Sequence, residues 1–163
     1  MKKLIFSLFL IPATFSAQKT VSRDAEIANY VSQVSADSLK SHINKLVSFG
    51  TRHTMSSTTD AKKGIGAARN WVLSKFKNYA KNADGRMEVF LQSQTIQPDG
   101  KRINQPTDLG NAIAILRGTD PNDKRIFMIG GHLDSRVSDV MNNKDFAPGA
   151  NDDGSGVGAV IES

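Results

Sequence analysis

The sequence contains no cysteine. Disulfides, a lipid-modified cysteine and a thiolate zinc site are therefore excluded, and any metal must be held by histidine, aspartate and glutamate. Only three histidines are available for that work. Long hydrophobic runs are also missing. The most apolar stretch, residues 4–11, is far short of the roughly 20 residues that a membrane-spanning helix needs. A strong charge of one sign is absent too: 21 basic side chains oppose 16 acidic ones, and two of the formal +5 come from Lys2 and Lys3. So modest and scattered an excess excludes the clustered basic face of a nucleic-acid-binding module. What is present, 163 residues with 39% hydrophobic and 23% charged side chains, suits a soluble globular domain with a core.

The N-terminus, M-K-K-L-I-F-S-L-F-L-I-P-A-T-F-S-A-Q, joins a positive start to a short apolar run and then to small residues. That order predicts a signal peptide over residues 1–17 and a secreted or periplasmic protein. Cleavage after Ser16 and after Ala17 both remain open.

From there the periodicity predicts a helix over 24–34, with Ile27, Tyr30, Val31 and Val34 on one side. A second helix carries Leu39, Ile43, Leu46 and Val47, with Gly50 just past its end. His42 lies beside that stripe without ligand-like neighbours, so it is expected on the helix surface or half-buried. Asp60 is placed to start a third helix, in which Ile65, Ala68, Val72, Phe76 and Tyr79 recur at spacings of three and four. Gly64-Ile65-Gly66 lacks a third glycine and a preceding strand, so it predicts a close helix contact and not a phosphate loop.

Residues 87–96 alternate as a strand, and Pro98-Asp99-Gly100 marks a turn. The apolar run 111–116 predicts a strand covered on both faces. Residues 126–129 predict another, joined by too short a connection for a crossover helix and so antiparallel to it. The fold class is α/β: a mixed sheet flanked by helices.

The chemistry gathers after that last run. In an extended chain His132 and Asp134 project from one face with a rise of about 6.6 Å between them. A carboxylate there can accept a proton from one imidazole nitrogen while the other faces a metal. Gly130-Gly131 permits close backbone approach just before them. In Asn151-Asp152-Asp153-Gly154-Ser155-Gly156 an acidic pair opens a helix. A cap accounts for one aspartate; the pair, set in a glycine-rich turn, suits a carboxylate shared by two metal ions.

Gly130-Gly131-His132-Leu133-Asp134-Ser135 and Ala147-Pro148-Gly149-Ala150-Asn151-Asp152-Asp153-Gly154-Ser155-Gly156 together closely resemble the M28 family of zinc aminopeptidases, which includes secreted bacterial leucyl aminopeptidases. Gly50-Thr51-Arg52-His53-Thr54 and Gly64-Ile65-Gly66-Ala67-Ala68-Arg69 also look like members of it. The resemblance implies a zinc-exopeptidase-like α/β/α fold, incomplete in this chain, with residues 18–163 forming the N-terminal part of a single peptidase domain. It implies two Zn2+ ions, His132 as ligand to one, Asp152 as bridge between both, Asp134 as the catalytic residue orienting His132, and a cis Asp152–Asp153 peptide. The substrates implied are peptides with a free N-terminus. The family's Glu-Glu pair and its later aspartate and histidine ligands find no counterpart here, since Glu162 follows the bridge too soon. A chain with half a coordination shell is expected to be inactive alone. Two rivals remain at this point. One is the M20 class of zinc carboxypeptidases and deacylases, whose bridging aspartate usually sits in a Gly-Arg-Gly context absent here; the other is a peptidase-like binding domain without metals.

Overall fold

The computed structural model describes residues 23–163, so the expected signal peptide lies outside the described residues. The chain divides into two units at Gln33/Val34. In the first, α1 (Ala25–Ser32) starts where the Asp24 carboxylate accepts the Glu26 and Ile27 amides, satisfying two of the four donors a helix start leaves free.

The second unit begins with α2 (Ala36–Ser48), capped by the Ser35 hydroxyl. Its end is closed by Gly50 at φ 74°. Helix α3 (Gly64–Ala80) starts later than Asp60 suggests, at Lys63. Asp60 instead accepts the Lys62 and Lys63 amides in a turn of its own. The Gly66 amide donates to the Ser57 carbonyl, the close backbone contact expected of that glycine pair. Strands β1 (Met87–Ile96) and β2 (Thr107–Leu116) form an antiparallel pair in which Phe90 faces Ile113. The chain ends in α4 (Ser155–Glu162).

Leu46 of α2, Val72 and Phe76 of α3 and Val157 and Ile161 of α4 make one buried cluster, onto which Val89, Ala112 and Ala114 of the sheet pack. Among the described residues the second unit is mixed α/β, two strands packed on the cluster formed by α2, α3 and α4. Among the described residues no helix is long and apolar enough to cross a membrane.

Three expectations need correction. Strand β2 is not covered along its length: Ala112 and Ala114 pack on the core, whereas Ile115 and Leu116 at its end are exposed. Residues 126–129 form no strand and do not pair with β2, whose partner is β1. A run apolar on both sides forms a strand when neighbours cover both, and here Ile126, Phe127 and Met128 are each at least 85% exposed. His42 is buried, not half-exposed. Its ring meets Trp71 edge-on, with centroids 5.8 Å apart. Burial and Lys75 lower its pKa, against the pull of Glu162 3.6 Å away.

The exposed run has a measurable consequence, because contiguous apolar surface of this kind binds dyes and other chains. Purified chain is expected to bind a hydrophobic dye such as anilinonaphthalene sulfonate, and Phe127→Lys with Met128→Glu should cut the fluorescence at least about twofold. Helical circular dichroism should not change, and equal dye signals from both proteins would show that the run is covered in solution.

Candidate metal centre

His132 lies in the irregular segment after the exposed run, close against the start of α4. Gly131 makes this approach possible: a Cβ there would lie 2.7 Å from the Val157 amide nitrogen and 2.8 Å from the Gly156 carbonyl carbon. Gly130 has open space around it, so of the two glycines only the second is required by packing.

The turn Ala150–Gly154 leads into α4 and is kinked at Asp152 and Asp153. Their peptide bond is cis, as the family resemblance implies. The two aspartates divide their work. Asp153 faces inward, accepting the His132 amide at 3.0 Å and the Gly156 amide at 3.1 Å. It thus caps α4 and ties the histidine's backbone to it. Asp152 is turned outward, with its Oδ1 2.9 Å from His132 Nε2.

On the other side of the ring, His132 Nδ1 is 3.2 Å from Asp134 Oδ1 and 3.2 Å from the Asp134 carbonyl. Thr54 donates to the second Asp134 oxygen at 3.4 Å. Partial burial pushes the imidazole pKa down, but Asp134, Asp152 and Asp153 together outweigh it and the net shift is upward. His132, Asp134, Arg136 and Asp152 line an open cleft of about 240 Å³.

The structure therefore brings together the three site residues read from the sequence: His132, Asp134 and Asp152. The other two histidines stand apart. His53 is held between the Val140 carbonyl and the Met55 amide, and His42 faces Glu162. Among the described residues no three His, Asp or Glu side chains converge into a set able to hold a metal ion. The donor chemistry nonetheless suits zinc as part of a shell: an imidazole with one nitrogen oriented by a carboxylate, its other nitrogen beside a second carboxylate, and no sulfur. Asp153 and Arg52 stand in motifs read from the sequence, the acidic pair and Gly50-Thr51-Arg52-His53-Thr54, but no role at the site was assigned to Asp153 or to Arg52 there. The aspartate is masked by its neighbour. The arginine lies about 80 residues upstream of the histidine in a loop of ordinary polar composition.

An oriented histidine facing a carboxylate at a helix start is the kind of arrangement found in metallohydrolases. Residues 111–163 match Peptidase family M28. The chain is 44% identical over 139 residues to a probable zinc metalloprotease of Leptosphaeria maculans, covering 85% of this chain and 32% of the relative. A probable zinc metalloprotease of Pyricularia oryzae is also 44% identical over 139 residues, 85% of this chain and 27% of that protein. Leucine aminopeptidase 1 of Grosmannia clavigera is 29% identical over 143 residues, 88% of this chain and 31% of the relative. The chain spans about a third of the length of the curated relatives it matches. The matched segment, which holds His132, Asp134 and Asp152, carries the M28 description and not that of the M20 alternative.

Proposed function

We propose that this sequence supplies the first part of a two-zinc aminopeptidase site, acting on peptides with a free N-terminus in an exported protein. The observation that carries the reading is His132 set between Asp134 and Asp152, with one ring nitrogen toward each carboxylate. The names of the relatives, zinc metalloproteases and a leucine aminopeptidase, support it. The leader-like N-terminus supports export.

In this reading His132 would bind zinc through Nε2, and Asp152 would be the carboxylate that helps to hold both ions. Bound zinc supplies Lewis acidity, polarising the scissile carbonyl and making water easier to deprotonate. Asp134 holds the proton of His132 on Nδ1, which fixes the tautomer and leaves Nε2 free to coordinate. Asp153 keeps the His132 backbone against α4, and the cleft beside Arg136 leaves room for a peptide to approach. The general base and the remaining ligands belong to the part of the relatives' length that this chain does not span. By itself the chain is inactive, because one imidazole and one carboxylate cannot hold zinc tightly.

The experiment compares residues 18–163 with a polypeptide of the relatives' length that contains them. The longer protein should bind about two zinc ions per chain and release the chromophore from an aminoacyl anilide, and the shorter should do neither. Turnover by the shorter chain, or cleavage of internal bonds only by the longer one, would overturn the proposal.

A further inference from the structure

Arg52 has no solvent exposure and, among the described residues, no ion pair with a carboxylate, yet its guanidinium is almost fully hydrogen-bonded. Nε donates to the Leu133 carbonyl at 2.8 Å. Nη1 donates to Leu46 at 3.0 Å and Pro148 at 2.7 Å, and Nη2 to Gly149 at 3.0 Å. These four carbonyls belong to three segments: the last turn of α2, the residue between His132 and Asp134, and the turn leading to Asp152. Ser135 adds to the junction, accepting the Arg52 amide at 3.0 Å and donating to the Ala147 carbonyl at 2.6 Å.

A buried charge is costly unless its donors are satisfied, and an apolar side chain of similar size would fill the space without that cost. Only the planar five-donor fork of arginine can hold carbonyls from three segments at fixed mutual angles. Gly149, at φ 48°, sits where a Cβ would lie 2.5 Å from Ser135 Cβ and 3.0 Å from Arg52 Nη2, so the turn is closed tightly onto the guanidinium.

We propose that Arg52 is a positioning residue that sets the spacing between the loop carrying His132 and the turn carrying Asp152. The clamp stands on its own contacts, and its consequence for metal affinity rests on the function proposed above. It makes the separation of histidine and bridging carboxylate a property of a buried side chain 80 residues upstream.

The test compares the chain with its Arg52→Met, Arg52→Lys and Ser135→Ala variants. Two quantities are read by NMR: amide hydrogen exchange, and the broadening of the Gly131 and Asp153 amide signals by added cobalt(II). Arg52→Met should speed exchange at the His132, Gly154 and Gly156 amides by at least about tenfold, the loss expected when hydrogen bonds to a charged group are removed. The Val72 and Phe76 amides of α3 should keep their rates, and broadening by cobalt should weaken. Arg52→Lys, whose ammonium reaches fewer of the carbonyls, should recover part of both effects. If Arg52→Met does not fold, Arg52→Lys and Ser135→Ala decide, each expected to loosen the three loop amides ahead of α3. Loop rates within twofold of the original chain, or loop and helix rates rising together in every variant, would overturn the clamp. Absence of cobalt broadening in the original chain with the loop effect intact would remove the consequence for metal binding by these residues alone and leave the clamp standing.

Discussion

Valine at position 131 is expected to destabilise the second unit by about 3 kcal/mol, the upper part of the range for overpacking. For a domain of this size that is a fall in melting temperature of roughly 9 °C. The cost is high because the atoms in the way are main chain. A Cβ meets the Val157 nitrogen and the Gly156 carbonyl carbon, and the start of α4 cannot turn aside as a side chain can. Relief requires His132 and its segment to move off the helix, breaking the 3.0 Å bond from its amide to Asp153. Gly131→Ala should show the same loss on a smaller scale. Gly130→Ala, with nothing within 4 Å of its new methyl, should melt like the original chain. Thermal denaturation followed by circular dichroism reads all three, and equal melting of the 130 and 131 variants would show that the contact is absent in solution.

The second large effect concerns the imidazole. In the longer polypeptide His132→Ala is expected to lose zinc and peptidase activity together, because no other histidine of this chain lies at the site. Asp134→Asn should keep the fold and bind zinc about 10–100-fold more weakly, as for other partners of metal-ligating histidines. The two changes should differ in pH dependence. The folded-state pKa of His132 is raised, so its proton competes with metal up to a higher pH than for an ordinary histidine. Zinc binding should therefore weaken as pH falls through that raised pKa. In Asp134→Asn, which lacks one of the carboxylates responsible, the fall should begin at lower pH. Zinc titration with a chromophoric chelator across pH measures both, and an unshifted profile in Asp134→Asn would remove the carboxylate from the account.

Helices α2, α3 and α4 were readable from the sequence because each has a partner within the second unit. The stripe of Leu46 and that of Val72 and Phe76 end in one buried cluster. The run 126–129 was misread because its composition specifies burial without specifying against what, and none of the described residues supplies the cover. His42 deceived in the opposite direction. A polar residue beside an apolar stripe reads as surface, whereas here Trp71 and Glu162, distant in sequence, enclose it. The site divides along the same line. His132, Asp134 and Asp152 lie in short local motifs and were legible. Arg52 binds carbonyls 81 to 97 residues further on, and a main-chain carbonyl leaves no mark on the residue that carries it.

The junction of α2 with α4 bears on when this protein can fold. Glu162 accepts the Ser35 amide at 2.8 Å across a separation of 127 residues, and Ile161 and Val157 close over Leu46. While the ribosome is still making the middle of the chain, α2 has its apolar stripe and no surface to lay it on. Contacts between such distant points form late, since the intervening loop must first be closed. The segment that follows α2 therefore stays loose until α4 has been made.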